Sequence, residues 1–252
     1  MDLEPQPHET LDCILGGNIH LIQARRGYRT AIDAPLLAWF AAQQAPEARV
    51  AVELGAGSGL VAIVLARALP QLHLHLLEKQ PQMADRAARN GRLNGVASRL
   101  TVQLSDILAS PPLPRDVDLV LCNPPYLRRD HGHPPGNPER HIAHQETTAT
   151  LGQFCQVAAQ AMGSTSRSCW VFPFHDAPRL LDALATAGLG ARAVMHVRHR
   201  PNDVKPNRVL VCARWGVASL EQLPDRAIHL QDQPDRVFQA DLAAFFASLA
   251  LP

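Results

Sequence analysis

The 252-residue chain reads as an α/β protein: a doubly wound, seven-stranded, mostly parallel sheet with an N-terminal hairpin and helix extension. Three observations predict this. From residue 49 onward short apolar runs alternate with amphipathic stretches, the pattern of a sheet with helices on both faces. A glycine-rich turn follows the first run and opens directly into a helix. A later run delivers an asparagine, two prolines and an aromatic ring to its carboxyl end, where ligands sit in such sheets.

The elements follow in chain order. Residues 11–23 hold Gly16-Gly17-Asn18 between two apolar runs and predict a hairpin. Residues 34–42 read as a helix leading into the first strand. The seven strands are expected at 50–54, 73–77, 100–104, 119–122, 170–174, 193–197 and 209–213. Helical stretches at 60–69, 82–93, 148–162 and 178–187 lie between them. Parallel neighbours need such crossovers, so the ligand is expected beyond the carboxyl ends of the strands, near the switch in strand order. After Trp215 come one strand at 227–230 and one helix at 240–249. The chain thus divides into an extension (1–48), a main domain (49–215) and a tail packed on the same domain (216–252), with no internal repeat.

Hydrophobic residues make up 46% and charged residues 19%, which fits a soluble globular protein and excludes disordered, collagenous and disulfide-stapled chains. A net charge of +1 excludes a generally polycationic nucleic-acid coat but allows a local basic surface. Cys13, Cys122, Cys155, Cys169 and Cys212 lie far apart with no CxxC pair, so they read as reduced core residues. The N-terminus lacks the basic and apolar regions of a secretory signal, and no apolar stretch reaches the roughly 18 residues of a membrane span. A cytoplasmic protein is expected.

The glycine turn is Glu53-Leu54-Gly55-Ala56-Gly57-Ser58-Gly59. Glycines allow a tight turn and close approach of a ligand, and the helix after them offers unpaired amides. An acidic residue precedes the glycines, and the second strand runs into Glu78, about twenty residues downstream, where a carboxylate can accept from ribose hydroxyls. The spacing fits an adenosyl ligand. A plain strand-to-helix turn, its acid serving only backbone amides, is the simpler alternative.

In Asn123-Pro124-Pro125-Tyr126 two prolines remove amide donors and stiffen the loop, leaving the Asn123 side chain and the Pro124 carbonyl as fixed acceptors. Such a pair suits an incoming NH2 group. The nitrogen of an aromatic amine or an amide is a poor nucleophile, and acceptors aimed at its hydrogens favour the pyramidal geometry of attack. Tyr126 can stack on a planar base. An ordinary proline turn at a strand end is the alternative.

Together, Glu53-x-Gly55-x-Gly57-x-Gly59, Glu78, Ser105-Asp106 and Asn123-Pro124-Pro125-Tyr126 resemble the motifs of the class I S-adenosylmethionine-dependent amino methyltransferases, whose fold is Rossmann-like. The resemblance implies that Glu53 and the three glycines hold the methionine part of S-adenosylmethionine, Glu78 with Lys79 the ribose side, and Ser105-Asp106 the adenine. It makes Asn123, Pro124, Pro125 and Tyr126 the catalytic residues. Leu15-Gly16-Gly17, the stretches 23–29 and 32–38, and Lys205-Pro206-Asn207-Arg208-Val209-Leu210-Val211 are similar to the bacterial tRNA1(Val) adenine-N6 methyltransferase group. That likeness spans nearly the whole chain and implies a tRNA substrate. Ile142-Ala143-His144-Gln145-Glu146 and the loop 131–138 depart from the group's pattern. Tyr28 and Asp33 are counted with the cofactor residues if the N-terminal segment closes over the cofactor; a solvent-exposed hairpin is the alternative.

Three arginine-rich clusters are candidates for RNA phosphates: Arg25, Arg26 and Arg29; Arg128, Arg129 and Arg140; and Arg198, Arg200, Lys205 and Arg208. Scattered solvated charges are the alternative. His131, His133, His141 and His144 match no common zinc spacing, and methyl transfer from a sulfonium requires no metal-bound water, so no metal is expected. Methylation of adenine N6 in tRNA is the leading reading. The alternatives are glutamine N5 of a release factor, guanine N2 of ribosomal RNA, and an inactive RNA-binding module. The short extension disfavours the second, because release-factor enzymes carry a helical domain ahead of the glycine turn.

Overall fold

The computed structural model describes residues 3–27, 29–126, 149–216, 220–229 and 238–250. The chain opens with the expected hairpin, β1 (Glu9–Ile14) and β2 (Ile19–Ala24), paired antiparallel from Glu9 opposite Ala24 to Ile14 opposite Ile19. Then follow α1 (Asp33–Gln44), β3 (Val50–Leu54), α2 (Leu60–Ala68), β4 (His73–Glu78), α3 (Pro81–Leu93), β5 (Leu100–Leu104) and β6 (Leu119–Cys122). The second half contains α4 (Leu151–Ala161), β7 (Arg167–Pro173), α5 (Ala177–Thr186), β8 (Leu189–Arg198), β9 (Arg208–Trp215), β10 (Glu221–Gln222), β11 (Arg226–Ala227) and α6 (Ala240–Ala247).

The main sheet runs in the order β10-β8-β9-β7-β6-β3-β4-β5, and β9 alone runs against its neighbours. The seven expected strands are its body. The tail adds two more, because β10 and β11 pair in succession with the outer edge of β8, Glu221 opposite Ala193 and Arg226 opposite Val197. An otherwise open edge is thereby covered. The strand expected at 227–230 is thus the shorter β11, and residue 230 lies outside the described residues.

Side chains alternate between two cores, which is why the strand sequences are apolar nearly throughout. Leu119, Leu121, Cys169, Val171, Leu210 and Cys212 face α1, α2 and α6. Val120, Cys122, Trp170, Phe172, Val209 and Val211 face α4 and α5. Fully burying each large side chain contributes about 1.5–3 kcal/mol. Leu15, Ile19 and Leu21 of the hairpin, Leu36 and Phe40 of α1, and Leu242 and Phe246 of α6 join the first core, so extension and tail are continuous with the main domain.

The hairpin is fixed to α3 by polar groups. Asn90 of α3 and Asn94, the residue that ends it, stand one turn apart and pair with the free edge of β2 as a neighbouring strand would. The Ile22 amide donates to Asn90 Oδ1 at 2.7 Å, and the His20 amide to Asn94 Oδ1 at 3.0 Å. Their Nδ2 groups return bonds to the carbonyls of Ile22 (3.1 Å) and His20 (2.7 Å). On β1, Glu9 is buried between two arginines of the same helix, accepting from Arg86 Nε at 2.9 Å and Arg89 Nη2 at 2.7 Å. Burial pushes the Glu9 carboxyl up, but bonds from Arg89, the Gln6 amide and Arg86 outweigh it and hold it at about 2. A carboxyl lowered in this way stabilises the fold fully above its unfolded value, and the contribution is lost as pH falls toward 2. We expect Glu9→Gln to cost roughly 3–5 kcal/mol at pH 7, since the charge buried between Arg86 and Arg89 is removed, although Arg89 keeps Asp85 at 2.8 Å. In urea melts at a series of pH values the gap to wild type should narrow from about pH 4.5 downward; a constant gap would assign the loss to packing.

Candidate active site

The strand order reverses at β3: β4 and β5 lie on one side of it and β6 on the other. The crevice left at their carboxyl ends is lined by both motifs that stand out in the sequence. Its walls include Glu53 of β3 with Gly55, Gly57 and Ser58 of the turn after it, Glu78 at the end of β4 with Lys79, and Ser105 and Asp106 after β5. Asn123 and Pro125 after β6, Phe154 of α4, and Thr30 and Ala34 close it. The empty space, its open mouth included, is about 880 Å³.

Backbone geometry explains the glycines. The Gly55 and Ala56 amides donate to the Leu77 carbonyl at 2.9 and 3.1 Å, which carries the turn across the end of β4. Gly57 has φ +57°, and a Cβ placed there would meet nothing within 4 Å, so its α-carbon faces open space. Gly59 caps α2 at φ +83°, and a Cβ there would stand 3.1 Å from Ala87 Cβ of α3. One glycine serves the crevice and the other the helix packing behind it. Asn90 joins the two regions, because its Nδ2 also donates to the Ser58 carbonyl at 3.0 Å.

Three carboxylates line the crevice in different states. Glu53 is buried, and its Oε2 has no hydrogen-bond partner among the described residues. Burial drives its carboxyl well above the usual range, and the nearby charge of Glu78 adds to this against the Ala62 amide. An orphaned buried acid of this kind is complementary to a cation. Glu78 accepts from the amides of Gly57 and Gln80, both at 2.8 Å, so it ties the glycine turn to β4. Burial raises its carboxyl too, opposed by the amides of Gln80, Gly57 and Lys79. Asp106 is more open; a 2.6 Å bond from Lys79 Nζ, with the Leu108 amide, lowers it against the effect of burial. The Ser105 amide donates to the Glu78 carbonyl at 2.9 Å, which brings the ends of β4 and β5 together.

After β6, Asn123 is partly exposed and Pro124 is buried. The Tyr126 hydroxyl is within hydrogen-bond reach of two acceptors, Asn123 Oδ1 and Asp33 Oδ2, the second at 3.1 Å. The Tyr126 ring meets Phe172 edge-on at 5.5 Å, Arg208 lies over it at 5.7 Å from the centroid, and Arg179 Nη2 donates to its carbonyl at 3.1 Å. Tyr126 is therefore packed against Phe172 and Arg208 beside Asn123, and it is not among the residues that line the crevice. Asp33, counted in sequence among the cofactor residues, is likewise absent from the crevice lining. It is buried at the start of α1, and both of its oxygens accept from Arg208 Nε at 3.0 Å.

Tyr28, Arg128, Arg129, Arg140 and the four loop histidines lie outside the described residues. Arg25 and Arg26 are exposed after β2, and Arg29 pairs with Asp12 at 2.5 Å. Arg198 pairs with Asp225 at 2.6 Å, while Arg200 and Lys205 stand exposed between β8 and β9, at the same end of the sheet as the crevice. The Asp33–Arg208 pair joins the segment after β2 to the start of β9. Among the described residues no cluster of His, Cys, Asp and Glu could hold a metal, and no helix is long and apolar enough to cross a membrane.

Sequence reasoning missed Asn90, Phe154 and Arg179. Asn90 left a trace, an asparagine near the end of the helix predicted at 82–93, with a second asparagine four residues later just beyond it. Both glycine positions favour the left-handed backbone, but only Gly59 is crowded. In urea denaturation Gly59→Ala is expected to cost about 2–4 kcal/mol and Gly57→Ala about 1 kcal/mol. Gly57→Ala should instead weaken cofactor binding; equal destabilisation by the two would contradict the packing difference.

Comparison with known proteins agrees with this geometry. Residues 33–166 match the model of the methyltransferase small domain. A tRNA1(Val) (adenine(37)-N6)-methyltransferase of Shewanella loihica is 27% identical over 208 residues, covering 80% of this chain and 83% of that one. A release factor glutamine methyltransferase of Cereibacter sphaeroides is 41% identical over 79 residues, covering 31% of this chain and 28% of its own. Among solved structures, a predicted O-methyltransferase from Agrobacterium tumefaciens superposes with a TM-score of 0.66 at 19% identity, covering 87% of this chain and 98% of that one. With the family model spanning more than half of its length, the chain belongs to the methyltransferase small domain family and is an S-adenosylmethionine-dependent methyltransferase of Rossmann-like fold.

Proposed function

We propose that the protein methylates the exocyclic N6 of an adenine in tRNA. The observation that carries this reading is that Asn123 and Pro125 line the same crevice as Glu53, Gly57 and Glu78, which puts an acceptor for an amine beside the groups suited to an aminoacyl-adenosyl cofactor. The long match to tRNA adenine-N6 enzymes supports adenine as the target. The residues present fit the cofactor: the unpartnered Glu53 Oε2 suits its α-ammonium, the open space at Gly57 admits its backbone, and Glu78 and Asp106 line the crevice where ribose and adenine would follow. When bound, S-adenosylmethionine supplies a methyl group on a positively charged sulfur.

The protein's part is to hold and polarise the nitrogen. The Asn123 side-chain oxygen and the Pro124 carbonyl accept its two hydrogens, which favours a pyramidal lone pair and stabilises the positive charge that grows on nitrogen. The proton then leaves to solvent, so no strong general base is needed. Reaching the nitrogen requires the base to leave its stack. Arg25, Arg26, Arg200 and Lys205 offer exposed charge to RNA phosphates, and Arg29 and Arg198 would exchange an aspartate for phosphate. The shorter match to a release factor enzyme makes glutamine N5 the second reading.

Incubation with labelled cofactor and separate pools of tRNA, ribosomal RNA and release factor tests the assignment. Label in tRNA recovered as N6-methyladenosine is expected; label in the release factor would replace it with glutamine methylation, and no label in any pool would leave an RNA-binding module. Asn123→Ala should lower turnover by about 100-fold or more while cofactor affinity stays within about twofold. Loss of both together would deny Asn123 its role. For Glu53 the direction follows from its surroundings: burial disfavours its charged form in the free protein, and an ammonium beside it favours that form, so cofactor binding lowers the carboxyl. Calorimetry in buffers of different ionisation enthalpy should therefore detect proton release on cofactor binding, and Glu53→Gln should abolish it.

A further inference from the structure

The Tyr126 hydroxyl has one proton and, among the described residues, two competing acceptors, Asn123 Oδ1 and Asp33 Oδ2, the second at 3.1 Å. The competition matters because Asn123 Oδ1 is the oxygen that the incoming amine needs. A planar amide carries its oxygen on one side and its NH2 on the other. With Oδ1 turned to Tyr126, one of its two lone pairs is taken up there, and an incoming amine has only the other, on an amide whose NH2 hydrogens repel its own. Turned over about its terminal bond, the same amide donates from NH2 to the Tyr126 oxygen and offers Oδ1 to the substrate. That orientation is open only when Tyr126 sends its proton elsewhere.

Asp33 is placed to take it. The side chain is 7% exposed, both oxygens are held by Arg208 Nε at 3.0 Å, and a carboxylate accepts a hydrogen bond more strongly than an amide oxygen. The ring itself is held by the Phe172 edge and by the Arg179 bond to the Tyr126 carbonyl. We propose that Asp33 is a positioning residue: by accepting the Tyr126 proton it lets the Asn123 amide turn its oxygen toward the target nitrogen. No covalent bond changes in this step; two hydrogen bonds exchange partners, and the two orientations of the amide have the same shape. The inference rests on the methyl-transfer reading and assigns the residue that orients its catalytic oxygen.

Asp33→Asn tests it directly, because an asparagine there can donate to the Tyr126 oxygen and drive its proton back onto Asn123. We expect kcat to fall about tenfold or more, with KM for the RNA and the cofactor affinity within about twofold. Asp33→Asn/Tyr126→Phe, which lacks the competing hydroxyl, should recover most of that loss. A double variant as slow as Asp33→Asn, or a parallel loss of kcat and cofactor affinity, would overturn the proposal in favour of a structural role. A second measurement holds whatever the methyl acceptor proves to be. The chain has two tyrosines, so 13Cζ-tyrosine labelling gives two resonances, assigned with Tyr126→Phe. Asp33→Asn should move the Tyr126 signal more than Asn123→Ala does; the reverse order would refute the proton's commitment to Asp33. Failure to methylate any RNA would thus sink the functional reading while the resonance order still decides the hydrogen-bond assignment.

Discussion

A sheet covered by apolar helices on both faces has only its ends for polar chemistry, and here the reversal of strand order at β3 opens one end into a crevice. The rest of the structure depends on that constraint. Glu53 and Glu78, at the ends of β3 and β4, and Asp106 and Asn123, just after β5 and β6, are far apart in sequence, and they meet because these four strands are parallel and adjacent. The rigid scaffold fixes their positions, and the connections after the strands supply the chemistry.

Local stability is given up at this end. Glu53 is buried with an orphaned oxygen, and Glu78 lies close enough to raise it further. Both features work against the empty fold and in favour of a bound cation, as expected where a sequence breaks its own packing rules at a functional site. Compensation lies nearby: Glu78 accepts two backbone amides, and the Lys79–Asp106 pair spans the ends of β4 and β5. The same economy governs the hairpin, whose apolar residues join the core while Asn90, Asn94, Arg86 and Arg89 answer its polar atoms one by one. Asn90 bonds to Ile22 and to Ser58 together, so the placing of the N-terminal segment and the shape of the glycine turn depend on one amide.

The long apolar strands were legible because burial on two faces leaves a continuous apolar run; 100–104 and 119–122 coincide with β5 and β6. The first half of β8 was not. Leu189-Gly190-Ala191-Arg192 has little strand propensity, and it is extended because β9 pairs with it through a bulge between Ala191 and Ala193. The two-residue strand β10 left no sequence signal either, since an edge recruits it through backbone groups. At the site, the motif residues of the crevice were readable from spacing along single strands, whereas the hydrogen-bond partners of Tyr126 were not.

By itself, then, the sequence determined the sheet, the positions of its loops and the residue types able to bind an adenosyl cofactor and an amine, because strand periodicity, glycine backbone freedom and proline stiffness are local properties. Only the tertiary structure decided that Asp33 belongs to Tyr126 and Arg208 and that Asn90 serves the hairpin and the glycine turn at once. Those pairings span 93, 175, 68 and 32 residues of chain. A hydrogen bond is fixed by distance and angle in space, and neither is set until the layers have packed.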